Sequence, residues 1–149
     1  MNLSLFSDYS LRVLMFAALK GDAFVLDEVT AAYGISRNHL AKVVHNLGKL
    51  GYLDTQRGRG GGIHLAISPD QIQLGKLVRQ TESRTILLEC FDPATNTCPL
   101  IRCCSLKGFL AEAMNAFYTN LDRHTLQDLV SGPFATLASA KLLTPKAKP

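Results

Sequence analysis

Apolar residues recur along this chain on a three- to four-residue beat, and glycine or a capping side chain interrupts that beat at a few points. Leu11, Leu14 and Ala18 lie on one stripe of a first helix that starts near Ser7-Asp8, where Asp8 suits the positive end of the helix dipole. Gly21 ends it. A second helix runs from about Asp27 to Tyr33 and stops at Gly34. Gly34-Ile35-Ser36 predicts a tight turn, with Ser36 as N-cap of a third helix reaching about Leu50. Leu40, Val43, Val44 and Leu47 share the buried face of that helix, while Arg37, Asn38, His39 and Lys42 fall toward its exposed N-terminal end. A helix, a glycine-containing turn and a second helix with a polar, basic tip form a helix-turn-helix.

The beat then changes to period two. A strand is expected over about Leu53 to Arg57, a turn at Gly58-Arg59-Gly60-Gly61-Gly62, and a return strand over 63–67 with Ile63, Leu65 and Ile67 on one face. This glycine-rich hairpin is a wing. A short helix near Leu74 to Gln80 follows, and residues 82–105 read as irregular, with Pro93 and Pro99 blocking regular structure. Leu106, Phe109, Leu110, Ala113, Phe117 and Leu121 restore helical spacing over Ser105 to Leu121. A short helix, Thr125 to Val130, comes next, and the tail from about Leu143 is expected to fray. The fold class is therefore mainly α with a small β-hairpin wing, a winged helix-turn-helix, plus a long C-terminal helix. Its parts are a DNA-binding domain at 1–81, a cysteine-bearing loop at 82–104, helices at 105–142 and a tail at 143–149.

An apolar content of 47% over 149 residues is enough for a core and argues against disorder. No apolar run approaches the roughly 20 residues that span a bilayer, so no membrane role is expected. The first residues lack the basic region and cleavage site of a signal peptide, which points to the cytosol. The net charge of +4 gains meaning from its placement. Residues 35–65 hold Arg37, Lys42, Lys49, Arg57 and Arg59 against Asp54 alone, the footprint of a phosphate-binding face. Arg37 suits guanine or a phosphate, Asn38 suits adenine, and Ser36, His39 and Lys42 lie beside them. Arg57 and Arg59 suit a narrow A·T-rich minor groove, and Gly60 lets the wing backbone approach it. Taken singly, each is equally an ordinary solvated residue; taken together, motif order and charge placement favour DNA. A nucleotide loop is excluded because no Gly-Lys-Ser/Thr follows the glycines.

The four cysteines, Cys90, Cys98, Cys103 and Cys104, all fall within one short stretch. In the cytosol such a cluster more often holds metal or does redox work than forms disulfides. Three of them, Cys90, Cys98 and Cys104, have a spacing that can wrap one compact metal centre. Structural zinc usually takes two close pairs of ligands, and here a tetrahedral ion would be one ligand short. Iron–sulfur clusters also use thiolates. Reduced thiols or a disulfide remain open, and spacing does not choose the metal. Cys103, adjacent to Cys104, reads as a spare thiol. His39, His45, His64 and His124 are scattered, and no nucleophile–base–orienter grouping points to an enzyme.

Four stretches carry a resemblance: Phe6-Ser-Asp-Tyr-Ser-Leu-Arg12, Tyr33-Gly-Ile-Ser-Arg-Asn-His-Leu40, Arg57-Gly-Arg-Gly-Gly-Gly-Ile63, and Glu89-Cys-Phe-Asp92 with Asn96-Thr-Cys-Pro99. Over nearly its whole length the chain resembles the Rrf-two superfamily of bacterial winged-helix regulators, and within it the nitric-oxide-sensing repressors. The resemblance implies an iron–sulfur cluster, four-iron in preference to two-iron, held by Cys90, Cys98 and Cys104. It implies Asp8 as a weaker fourth ligand reaching across from a partner subunit; by residue chemistry alone, Asp8 pairs with Arg12 one turn on. It also implies a homodimer built on the long helix through Leu106, Phe109, Leu110, Ala113 and Phe117. The DNA partner would be a partly palindromic, A·T-rich operator, and nitric oxide the signal. The related biogenesis regulators place histidine where this chain has Lys107, which argues against that branch. The seven-residue gap between Cys90 and Cys98 also resembles iron-responsive members, so iron sensing is the second reading. From other classes, a cluster-carrying electron-transfer protein or a zinc-stabilised interaction module remain.

Overall fold

The structure, a computed structural model, describes residues 2–56, 58, 61–82 and 86–144. Its helices are α1 (Leu5–Lys20), α2 (Leu26–Tyr33), α3 (Arg37–Lys49), α4 (Leu74–Thr81), α5 (Ser105–Leu121), α6 (Leu126–Leu129) and α7 (Gly132–Leu142). Strands β1 (Leu53–Gln56) and β2 (Gly62–Leu65) form an antiparallel pair, with Leu53 opposite Leu65 and Gln56 opposite Gly62. None of the helices is long and apolar enough to cross a membrane, among the described residues.

Helix α1 is the axis of the head. It begins earlier than Ser7, because Ser4 takes the N-cap and accepts the Ser7 N–H. Ser7 is thereby drawn inside the helix, where its hydroxyl meets that of Thr81 at 2.8 Å, and both side chains are buried. A buried hydroxyl left without a partner would be costly, so this pair fixes the start of α1 against the end of α4. Ser4 N–H adds a 2.7 Å bond to the Glu82 carboxylate. Val13, Leu14, Phe16 and Ala17 then enter a core shared with Val29 of α2, Leu40, Val43, Val44 and Leu47 of α3, and Leu77 of α4.

The turn between α2 and α3 depends on one glycine. Gly34 has φ +70°, a conformation side chains disfavour, and its N–H closes on the Thr30 carbonyl at 2.8 Å. Ile35 is then buried and Ser36 accepts the His39 N–H to start α3. β2 starts one residue before the expected return strand and ends at Leu65 rather than at Ile67. It has a second neighbour: Phe24 and Ile63 exchange both backbone hydrogen bonds, at 2.9 and 2.8 Å. That pairing ties the wing to the α1–α2 connection. The Tyr52 hydroxyl reaches Gln80 at 2.6 Å and ties its base to α4.

Beyond α5 the chain returns to the head. Leu126 of α6 is completely buried in the same core, and its N–H pairs with the Ile72 carbonyl at 2.9 Å. Helix α7 follows the short helix expected over Thr125 to Val130 and completes the helical region at 105–142. Proline is tolerated in a first helical turn, whose N–H groups lack intrahelical partners anyway. Ala138 is buried and Leu142 packs on the core, which holds α7 against α1 and α2.

One close approach joins head and long helix. A Cβ on Gly75 would lie 2.1 Å from Asp122 Oδ1 and 3.0 Å from the Asp122 backbone nitrogen. Asp122 holds Arg79 through two bonds of 2.7 and 2.6 Å, and the Tyr118 ring lies 4.5 Å from that guanidinium. Gly75→Ala is expected to cost about 1–3 kcal/mol through overpacking. Thermal unfolding checks this, with Gly75→Ala/Asp122→Ala recovering part of the loss because the carboxylate, the nearest obstacle, is gone.

Candidate DNA-reading face and thiolate loop

Helix α3 divides sharply by burial. Leu40, Val43, Val44 and Leu47 face the core, whereas Ser36, Arg37, Asn38, His39, Lys42 and His45 are exposed together. An amphipathic helix anchored on one side presents its polar first turns outward, as a reading helix must. Arg57, Arg59 and Gly60 lie outside the described residues. Their neighbour Gly62 approaches the Phe24 backbone so closely that a Cβ would lie 3.0 Å from that carbonyl oxygen.

The exposed face is braced from two helices. Arg37 Nε donates to Asp27 Oδ1 at 2.9 Å. The Tyr9 ring of α1 lies 6.2 Å from the His39 ring. One turn further along α1, Arg12 donates to Asp8 Oδ1 at 2.9 Å and its guanidinium lies 5.7 Å from the Tyr33 ring. The Asp8 hydrogen bond raises the Arg12 pKa, against the lowering effect of burial. Burial pushes the Tyr33 hydroxyl up to about 12, so that ring stays neutral. Within a single chain Asp8 is thus in the helix pair that its spacing from Arg12 suggests. Sequence reasoning missed the roles of Tyr9 and Asp27. Their partners lie 30 and 10 residues away on other helices, and no local pattern marks either pair.

The thiolate loop orders itself. Cys90 sits in a short 3₁₀ turn, Glu89–Phe91. The Asp92 carboxylate then accepts from the Ala94 N–H and the Thr95 hydroxyl, both at 2.9 Å. Asn96 accepts the Cys98 N–H at 3.1 Å. Asp and Asn bonding to backbone two residues on is local turn chemistry, and here it shapes the stretch between two of the cysteines. Cys104 is the N-cap of α5. All four cysteines are free; Cys90, Cys98 and Cys104 are half-buried and Cys103 is exposed. Among the described residues, no three Cys, His, Asp or Glu side chains close on a single ion. An iron–sulfur cluster takes its thiolates at separate iron atoms, so its donors need not converge on one point. Three free thiols in one self-ordered loop fit such a group by donor chemistry, and Asp8 of the same chain is not among them.

Helix α5 exposes large apolar side chains. No residue on it is fully buried; Leu106 and Phe109 are 56% and 65% exposed. Leu110 and Phe117 are half-buried, Ala113 is exposed, and Phe117 stacks edge-on against Tyr118 at 5.2 Å.

Residues 3–132 match the Rrf2 family, described as an iron-dependent transcriptional regulator. The chain is 48% identical over 132 residues to the HTH-type transcriptional regulator NsrR of Shouchella clausii, covering 87% of this chain and 89% of that protein. It is 46% identical over 132 residues to the regulator of the same name from Bacillus subtilis, covering 87% and 90%. Among solved structures, the oxidized form of Staphylococcus aureus CymR superposes with a TM-score of 0.69 at 24% identity, covering 89% of this chain and 98% of that one. That likeness speaks for the fold.

Proposed function

We propose that this chain, which belongs to the Rrf2 family of transcriptional regulators, is a dimeric DNA-binding repressor that senses nitric oxide through an iron–sulfur cluster and controls nitric-oxide detoxification genes. Its relatives are named as transcriptional regulators, and the chain is a regulator rather than an enzyme. Cys90, Cys98 and Cys104 of one subunit, with Asp8 of the other, would hold the cluster in the cytosol. Bound there, the cluster supplies iron that reacts with nitric oxide.

The observation that carries this reading is the position of Asp8. It lies in the first turn of α1, one residue from the ring that rests on His39 and one turn from the arginine that rests on Tyr33. Its carboxylate holds Arg12 in this structure; as a cluster ligand it would leave Arg12. Each use sets a different balance of charge beside Tyr33, at the end of α2 where the turn into α3 begins. Thr81 and Glu82 link the same first turn to the segment that leads into the thiolate loop. A switch of this kind needs modest coupling. A hundredfold loss of operator affinity corresponds to about 2.7 kcal/mol, within the ordinary range for two-state proteins.

The test is anaerobic operator binding, with the operator selected from a random duplex library, before and after nitric oxide is added to cluster-loaded protein. Affinity is expected to fall about a hundredfold. Unchanged affinity would defeat the nitric-oxide reading. Release of DNA on iron chelation, with nitric oxide inert, would support iron sensing, which the gap between Cys90 and Cys98 suggests.

A further inference from the structure

We infer that Asp27 is a specificity-determining residue, one that holds Arg37 for reading a guanine and at the same time disfavours bare phosphate contact. The inference rests on the proposed DNA-reading role of α3. It starts from a pair that has no structural task. Arg37 and Asp27 are 67% and 75% exposed, on different helices, and joined at 2.9 Å. Ion pairs as exposed as this contribute little to stability. An unrestrained arginine is moreover among the side chains with the most rotamer freedom to lose.

The geometry of the pair matters for recognition. Asp27 takes the Nε–H of Arg37. The pair of Nη groups at the end of the guanidinium is then left to donate two parallel bonds, which is what guanine O6 and N7 accept in the major groove. An arginine fixed at Nε meets that edge with part of its ordering already done. Phosphate gripping asks for something different. A carboxylate beside the arginine repels the backbone and cancels part of its charge, so an arginine serving only as a phosphate anchor gains nothing from Asp27. Lys42, exposed on the same helix farther along, has no carboxylate partner among the described residues and suits the phosphate role.

Asp27→Asn keeps shape and removes the charge. Binding is measured for wild type, Asp27→Asn, Arg37→Ala and the double variant, on three duplexes: the selected operator, the operator with its guanines replaced one at a time, and random sequence. Asp27→Asn should weaken operator binding about tenfold, while random-sequence binding holds or strengthens. At one guanine, wild-type discrimination should fall toward the level of Arg37→Ala, because the amide oxygen holds Nε–H more weakly than the carboxylate does. In the Arg37→Ala background the Asn change should leave that discrimination unaltered. Equal strengthening on all duplexes would overturn the inference, because Asp27 would then only repel DNA. Undiminished discrimination in Asp27→Asn would overturn it as well. A wild-type protein that binds operator and random duplex alike would instead remove the DNA-reading assignment, and the inference with it. Unfolding midpoints should stay at the wild-type value, as for an exposed surface change.

Discussion

Cys98→Ala is expected to yield a folded, dimeric protein whose iron and sulfide fall from stoichiometric to background. Folding should survive because the core does not include the loop. The buried cluster draws on α1 to α4, the wing and α6, and none of its members among the described residues lies between 82 and 104. Cys98 is half-buried, and the bond fixing its backbone runs from its N–H to Asn96, which alanine keeps. The change should therefore alter stability by no more than about 0.5 kcal/mol. The proposed cluster, by contrast, would lose one of its three cysteine ligands, and the methyl group in its place binds no iron. Cys103→Ala provides the control: Cys103 is exposed, and iron should stay at wild-type level. Iron and sulfide assay after anaerobic reconstitution, with circular dichroism on the same sample, checks both. Full iron in Cys98→Ala would overturn the ligand assignment. Full iron in neither variant would make Cys103 a ligand.

Much of this architecture is legible because it is local. Gly21 and Gly34 end helices by adopting φ near +70°, and Ser36 starts one through its own hydroxyl. The apolar beat from Leu106 to Leu121 marks α5 correctly because a helix repeats its own geometry. What escaped is long-range. Ile63 was placed on the inner face of a strand by alternation, but nothing near it identifies Phe24 as a backbone partner. Leu126 reads as part of any short apolar run; its complete burial depends on a core whose other members, from Val13 to Leu77, lie far earlier in the chain. Helix α7 likewise docks through Leu142 on a core whose members lie far earlier in the chain. In the candidate site, the basic tip of α3 was visible as composition. The carboxylate that holds it was not, since Asp27 looks like a residue chosen to start α2.

Phe109→Glu should split the proposed dimer. On α5, Leu106 and Phe109 are more than half exposed, and Leu110 and Phe117 lie on the same stripe, an arrangement that needs a partner surface. A two-fold interface uses the same patch on both subunits, so one substitution acts twice. Full burial of a phenylalanine is worth about 1.5–3 kcal/mol, and two copies give roughly 3–6 kcal/mol, or about a hundred- to ten-thousandfold in dissociation constant. The two carboxylates then add desolvation and mutual repulsion. The monomer should stay folded, because Phe109 is not part of the core. Helix α7 offers a rival surface in Phe134 and Leu137, 56% and 64% exposed. Sedimentation velocity at micromolar concentration separates the two: Phe109→Glu should sediment as monomer and Phe134→Glu as dimer. The reverse result would move the interface to α7 and leave α5 without its proposed role. Monomeric Phe109→Glu should also bind a half-site and the full operator with the same weak affinity, since a dimer gains on the full site by linking two such contacts.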